Sequence, residues 1–256
     1  MILDSVEQLV IELLEEVGEL VMGDFGRLSE YSLKSKNDIV TKLDKDAEKI
    51  IIDSLNRNFP EHSIFSEEDG LTDRKSKYTW IVDPIDGTIN YYSGISPFRI
   101  AMALLEDNKP IFSAIYNPVK KDIYTAKKGG GAFKNGRKMQ VNDNGDLNNY
   151  VVMTHLSSKK NARNKVISSL NQVFSKVLQI RILGSGSASL GYIADGKYDA
   201  FYNVKTHPWD ILPGSLIVQE SGGQVTDVLG KEITIDSTSI LASNGKLHKQ
   251  LVSLIK

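Results

Sequence analysis

Cysteine is absent from all 256 residues, so the chain has no disulfide framework, no thiolate nucleophile and no cysteine-based zinc site. Charge imbalance is also missing: 31 Lys and Arg against 32 Asp and Glu leave a formal charge of -1. Without a polybasic or polyacidic signature, neither nucleic acid nor a membrane surface is expected as a main partner, and an anionic small substrate must be met by a local site. No run approaches the roughly 18 to 20 apolar residues of a membrane span. The start, Met1-Ile2-Leu3-Asp4, lacks a basic region, and acids interrupt the apolar positions that follow, so no signal peptide is expected. A cytoplasmic location follows by default. The four histidines fall at no metal-ligand spacing, and there is no internal repeat or low-complexity stretch. What remains, 41% hydrophobic and 25% charged residues, is an ordinary globular composition. The length suits one large domain or two closely joined halves with a substantial core.

The most informative stretch is Trp80-Ile81-Val82-Asp83-Pro84-Ile85-Asp86-Gly87-Thr88-Ile89-Asn90. Apolar, β-forming residues run into an acid, a proline that cannot continue a ladder, a second acid and Gly-Thr. That pattern predicts a buried strand ending in a sharp turn. Strand ends of α/β folds collect ligands because side chains and free backbone groups converge outside the sheet. Asp83 and Asp86, three residues apart at such a point, repel unless a cation lies between them, and the Ile85 carbonyl can be aimed at the same place. Oxygen-only donors suit a hard cation, Mg2+ before Zn2+. Gly87 permits close backbone approach, while Thr88 offers a hydroxyl and a cap for a helical turn able to hold phosphate. The plain alternative is an acidic surface turn.

Around this stretch, apolar spacing predicts an amphipathic helix over 6–22, a polar loop from Arg27 to Asn37 carrying Lys34 and Lys36, and a second helix over 42–56. Thr41 with Asp44 three residues on fits an N-terminal cap, which by itself explains Asp44. The short strand 63–66 delivers Glu67-Glu68-Asp69 at its end. Alternation of side chains makes Glu67 the better ligand candidate and turns Glu68 away. Runs at 98–105, 110–116, 122–126 and 131–133, separated by hairpin-type turns, predict a largely antiparallel sheet. Gly129-Gly130-Gly131 lacks the Gly-Lys-Ser/Thr ending and helix of a phosphate loop and reads as a turn.

Beyond a boundary near 145 the pattern alternates: strand 150–154, helix 160–174, strand 177–182, then a helix opened by Gly184-Ser185-Gly186-Ser187. That opening offers free N-H groups to an anion or a hydroxyl, or is simply a small-residue cap. A strand over 199–203 leads to His207-Pro208-Trp209-Asp210, where Asp210 is a cap or a ligand and Trp209 packs. Pro213 falls early in the next helix, where its missing N-H costs little, and Gly222-Gly223 ends it. Strands near 223–227 and 239–242 and a helix over 245–255 close the chain.

Glu67-Glu68, the run from Trp80 to Tyr91, and Trp209-Asp210 followed by Gly222-Gly223 resemble the inositol monophosphatase family. Weaker echoes lie in Lys34 to Asp44, Tyr116-Asn117-Pro118 and Arg181 to Ser187. The central motif belongs to the wider superfamily of lithium-sensitive Mg2+ phosphatases, which includes fructose-1,6-bisphosphatases. The resemblance implies an alternating α/β/α/β/α sandwich, a homodimer, and hydrolysis of a small phosphomonoester with two or three Mg2+ ions. Inositol monophosphate is the first substrate it suggests. Carried over position by position, it makes Glu67, Asp83, the Ile85 carbonyl, Asp86 and Asp210 the metal ligands, with Asp44 and Thr88 orienting the attacking water. Gly87 and Thr88 would contact the phosphate, and Gly184, Ser185, Gly186, Asn203, Asp86 and Asp210 the substrate. Residues 1–145 would then form an α+β half with most metal ligands, and 146–256 an α/β half completing the site.

The chain departs from the family at two points. Ile211-Leu212-Pro213 replaces the small residues that usually follow Trp-Asp. Asn203 stands where inositol phosphatases carry a glutamate that binds ring hydroxyls, and Lys205 nearby suits a second phosphate. The alternatives within the superfamily are fructose-1,6-bisphosphate, 3'-phosphoadenosine-5'-phosphate and histidinol phosphate as substrates. Outside it, a haloacid-dehalogenase nucleophile would need Asp-x-Asp, one residue tighter than here, and a non-catalytic metal-binding regulator would have no need of Thr88.

Overall fold

A computed structural model describes residues 2–27, 30–35, 38–156 and 160–255. The chain opens with helix α1 (Ile2–Gly23), a hairpin of β1 (Ser32–Ser35) and β2 (Asp38–Val40), and helix α2 (Lys42–Asn58). Strands β3 (Ser63–Ser66), β4 (Gly70–Thr72) and β5 (Tyr78–Asp86) follow, then a short helix α3 (Thr88–Tyr92). A meander comes next: β6 (Arg99–Glu106), β7 (Lys109–Asn117), β8 (Asp122–Lys127), β9 (Gly131–Lys134) and β10 (Arg137–Lys138). The remainder alternates as β11 (Val151–Thr154), α4 (Lys160–Phe174), β12 (Gln179–Ile182), α5 (Gly186–Ala194), β13 (Ala200–Asn203) and α6 (Pro208–Glu220). It closes with β14 (Gln224–Thr226), β15 (Ile240–Ser243) and α7 (His248–Ile255).

Two sheets organise these elements. The larger has eight strands in the order β10-β9-β8-β7-β6-β5-β3-β4, antiparallel except where β3 runs parallel to β5. The smaller has five, in the order β12-β11-β13-β15-β14, with both neighbours of β11 parallel to it. On one face of the large sheet, Val10, Leu14 and Val17 of α1 and Ala47, Ile51 and Leu55 of α2 pack against Trp80, Val82 and Ile100. Its other face shares a core with α5, α6 and the small sheet, joining Ile81, Ala101 and Ile115 to Leu190, Leu216 and Phe201. The far face of the small sheet meets α4 and α7 through Tyr202, Val173 and Leu251. This is the expected α/β/α/β/α sandwich. Its middle helices sit close together, since a methyl group added at Gly214 would come within 2.4 Å of Leu190.

Three local expectations are corrected. The segment read as a polar loop, Arg27 to Asn37, contains strand β1, which pairs with β2 just beyond it, although Lys36 and Asn37 lie outside the described residues. The central strand does not stop at its proline: β5 runs on to Asp86 through a bulge in which Asp83 pairs with Ala101 and Asp86 with Arg99. Pro84 and Ile85 thus oppose Ile100 alone, and the missing N-H of Pro84 falls where the ladder is already broken. Finally, the proline at the first turn of α6 is Pro208; Pro213 sits in the helix interior, where it removes the bond to the Trp209 carbonyl.

Candidate active site

The bulge in β5 decides the geometry of the site. In a regular strand, residues three apart point to opposite faces. One extra residue between Asp83 and Asp86 restores them to the same face, the one turned toward α5 and α6. There the carboxylates of Asp83, Asp86 and Asp210 each place an oxygen within 4.8 Å of the others. Asp210 comes from the first turn of α6, where its Oδ2 accepts from the His207 N-H and the Thr206 hydroxyl, both at 2.8 Å.

Asp83 is fully buried, and neither of its oxygens accepts a hydrogen bond among the described residues. Burial, then repulsion from Glu67, Asp86 and Asp210, holds its carboxyl well above the usual range. A buried carboxylate left without a donor is costly unless a cation meets it. The groups that converge here among the described residues are carboxylates, a donor set that fits a hard divalent ion such as Mg2+. Asp83, Asp86 and Asp210 are placed so that together they could hold one. The Ile85 carbonyl lies in the same turn, its oxygen 3.2 Å from the Thr88 hydroxyl oxygen.

Glu67 joins this group from the turn after β3. Burial pushes it up to about 8 against the pull of Lys34, with Asp210 adding repulsion. Lys34, on the hairpin, brings its ammonium 2.7 Å from Glu67 Oε1 and also bonds Glu68. Glu67 and Glu68 together overcome burial and raise the pKa of Lys34. Glu68 therefore does not turn away. Residues 67–69 form a turn outside β3, where strand alternation no longer applies.

At the start of α2, Asp44 caps and reaches at once. Its Oδ2 accepts from the Thr41 N-H at 2.8 Å and the Thr41 hydroxyl at 2.6 Å, while Oδ1 accepts from the Thr88 hydroxyl at 3.0 Å. Burial raises its pKa, opposed by these bonds. Between Asp86 and Thr88, Gly87 has φ +96°, and a Cβ there would lie 3.1 Å from the Gly184 and Pro97 carbonyl oxygens. Only glycine lets this turn lie so close to the segments that carry Pro97 and Gly184. Asn90 ties the same seam by donating to the Pro97 and Leu183 carbonyls, each at 2.7 Å.

Of the two readings of the start of α5, an anion or hydroxyl site and a small-residue cap, the helix shows the cap, and its free N-H groups are taken by the protein's own carboxylate. Asp86 itself is the anion: it accepts from Ser185 Oγ at 2.7 Å and from the Gly186 and Ser187 N-H groups at 3.2 and 2.5 Å. Ser185 also caps the helix, accepting from the Ala188 N-H at 3.1 Å. Gly184, at φ +75°, sets the turn before it. Asn203 is buried at the end of β13, its amide oxygen accepting from the Lys205 N-H at 3.2 Å. Trp209 packs as expected, stacked on His207 at 4.8 Å and edge-on to Phe65 at 5.2 Å. Sequence reasoning passed over Glu48, Thr206 and the role of Lys34. A helical Glu four residues after Asp44, on the same face, was the one available signal for Glu48.

Five alternating layers, with Asp83 and Asp86 of β5 and Asp210 of α6 gathered between them, define a layered α/β protein with an acidic cluster that could hold a cation. The chain belongs to the inositol monophosphatase family, whose sequence profile matches residues 2–256. A protein of Thermotoga maritima named fructose-1,6-bisphosphatase/inositol-1-monophosphatase is 35% identical over 246 residues, covering 96% of this chain and 93% of that protein. Nus factor SuhB of Pseudomonas aeruginosa is 33% identical over 247 residues, covering 93% of this chain and 91% of its own. The crystal structure of extragenic suppressor protein suhB from Bartonella henselae superposes with a TM-score of 0.93 at 31% identity over 98% of each chain.

Proposed function

We propose that this protein is a Mg2+-dependent phosphatase of small phosphomonoesters, with phosphorylated polyols or sugars as its substrate class. The observation that carries the reading is the partnerless, buried Asp83 between Glu67, Asp86 and Asp210. Divalent ions bound there would neutralise charge on the transferring phosphoryl group and acidify water. The chain's own part is alignment and proton handling. By giving its hydrogen to Asp44 Oδ1, the Thr88 hydroxyl presents its lone pairs to water and can pass a proton inward. Asp44, buried and raised in pKa, is suited to hold that proton. Gly87 lets the phosphate approach the backbone at the start of α3.

Asn203 bears on which ester is favoured. An amide can bond a sugar hydroxyl but brings no charge, and Lys205 beside it supplies a cation for a second phosphate. Inositol 1-phosphate remains the first substrate to try. Fructose 1,6-bisphosphate, 3'-phosphoadenosine-5'-phosphate and histidinol phosphate complete the panel, each with Mg2+, with chelator and with Li+. Mg2+-dependent release of phosphate is expected, lost in Asp83→Asn; a mutant that turns over normally sinks the reading. Clear preference for inositol 1-phosphate would dispose of the role for Lys205.

The name Nus factor carried by the Pseudomonas relative supports a second reading, a regulator that keeps the fold without turnover. The Asp44–Thr88 pair weighs against it, because a protein that only binds has no use for a proton acceptor there. Absence of phosphate release from every ester in the panel would favour the regulator.

A further inference from the structure

Four residues beyond Asp44, on the same face of α2, the Glu48 carboxylate is almost completely buried, with 1% of its surface exposed. Among the described residues its hydrogen bonds run to Ser66, Glu68 and Asp69 and not to the side chains of the gathered acids. Its Oε1 accepts from Ser66 Oγ at 2.9 Å and from the Asp69 N-H at 2.7 Å, and its Oε2 accepts from the Glu68 N-H at 3.0 Å. The Glu67 N-H donates to the Val82 carbonyl at 3.2 Å. Every backbone donor from 67 to 69 is therefore committed, two of them to one buried anion. Successive N-H groups wrapped around a carboxylate form an anion nest, here closed by the protein's own side chain. Charge-assisted bonds of this kind are about twice as strong as neutral ones.

Helix packing alone would not need this arrangement. An apolar residue would fill a position facing Ser66 at lower desolvation cost, and burying an unpaired-by-cation carboxylate is tolerated only when its hydrogen bonds are fully made. What the bonds fix is the path of the three residues that carry Glu67 to the site, and they fix it to the helix that also holds Asp44.

We propose that Glu48 is a positioning residue for the cation site: by clamping the 67–69 turn to α2, it sets where the Glu67 carboxylate stands and so how tightly the site holds a divalent ion. This rests on the reading of Glu67 as a cation ligand. Glu48→Gln is nearly isosteric but turns an NH2 group toward backbone N-H donors, breaking at least one of the three bonds. Glu48→Asp keeps the charge and withdraws it by one methylene.

The test is direct titration of the full-length protein with Mn2+, read by electron paramagnetic resonance without substrate, for the parent, Glu48→Gln, Glu48→Asp, Glu67→Gln and the double mutant Glu48→Gln/Glu67→Gln. Glu48→Gln is expected to bind Mn2+ at least about tenfold more weakly, with Glu48→Asp between it and the parent. Excess Mg2+ should restore the kcat of Glu48→Gln, and the double mutant should be no weaker than Glu67→Gln alone, because both changes act through one carboxylate. A purely structural role would lower Tm but leave the Mn2+ affinity of folded protein unchanged and give no rescue by Mg2+. Should Glu48→Gln fail to fold, Glu48→Asp carries the same comparison. Parent-like Mn2+ binding by the Glu48 variants, or a further loss in the double mutant, overturns the inference. Parent-like binding by Glu67→Gln instead overturns the underlying assignment of Glu67.

Discussion

The helix starts at Thr41–Asp44 and His207–Asp210 are built alike, and the same cap yields two chemically different carboxylates. In each, the aspartate at the third helical position accepts from the N-cap backbone. At α2 the cap is buried, and the second oxygen is met by a neutral hydroxyl, Thr88. Burial prevails and the pKa of Asp44 rises. At α6 burial pushes the same way, but hydrogen bonds from the His207 side chain and backbone, helped by Thr206, outweigh it and bring Asp210 below its ordinary value. A raised carboxyl suits a proton acceptor, and a lowered one suits a permanent anion facing a cation.

The widest way to break this contrast is to neutralise each acid in turn. Asp44→Asn should cut kcat by about 10²- to 10⁴-fold, the usual worth of a general base, while divalent-ion affinity measured by calorimetry stays near that of the parent. Asp210→Asn should do the reverse first, weakening ion binding and losing turnover as a result. If both mutants lose ion binding equally, the division of labour is wrong.

A second experiment puts the pair beside the acid that has no cap. Asp83 is raised by burial and by repulsion from its neighbours, so its charge opposes folding whenever no cation is bound. Asp83→Asn should raise Tm in chelator by several degrees, and Mg2+ should no longer add to it. A fall in Tm would mean that Asp83 has protein partners the geometry does not reveal.

A third helix start serves as the control. His248 opens α7 with its ring nitrogens 2.9 Å from Thr226 Oγ1 and 2.8 Å from Ser243 Oγ, and burial lowers its pKa to about 4. An ordinary histidine in the unfolded chain titrates near 6.5, so between about 4 and 6.5 the unfolded state binds the extra proton. Stability from this group is whole above 6.5 and is lost as pH falls toward 4, on the order of 3 kcal/mol in total. Denaturant melts across that range should flatten in His248→Gln. Glu67, raised to about 8 by burial, has the opposite sign: protonation on falling through that value relieves the site.

Much of this was legible in advance. The meander, the alternating second half and the acids of the 80–90 stretch all follow from short-range periodicity and turn chemistry. What escaped depends on how distant parts meet. Nothing within the stretch itself shows that Pro84 lies in a bulge, because the bulge is defined by its pairing with Ile100. Lys34 appeared as one more loop cation, since the hairpin that swings it to Glu67 has no strong strand pattern. The N-H groups at the start of α5 looked free because their acceptor, Asp86, lies about a hundred positions away. Asp210 posed a choice between cap and ligand, and Asp44 between cap and partner of Thr88, that two oxygens on one carboxylate make unnecessary.

The smallest effect tests whether the two caps differ as their surroundings say. Thr41→Ala removes a buried hydroxyl 2.6 Å from Asp44 but leaves the backbone N-H, and should cost about 1 kcal/mol of stability with turnover within a few-fold of the parent. His207→Ala keeps its own backbone bond to Asp210 and loses an exposed imidazole 3.5 Å away, so stability should move less. Its signature belongs elsewhere: with that side-chain bond gone, burial should lift Asp210 toward its neighbours, and the Mg2+ requirement should rise at acidic pH. Equal stability losses and no change in the Mg2+ requirement would mean that both residues are only caps.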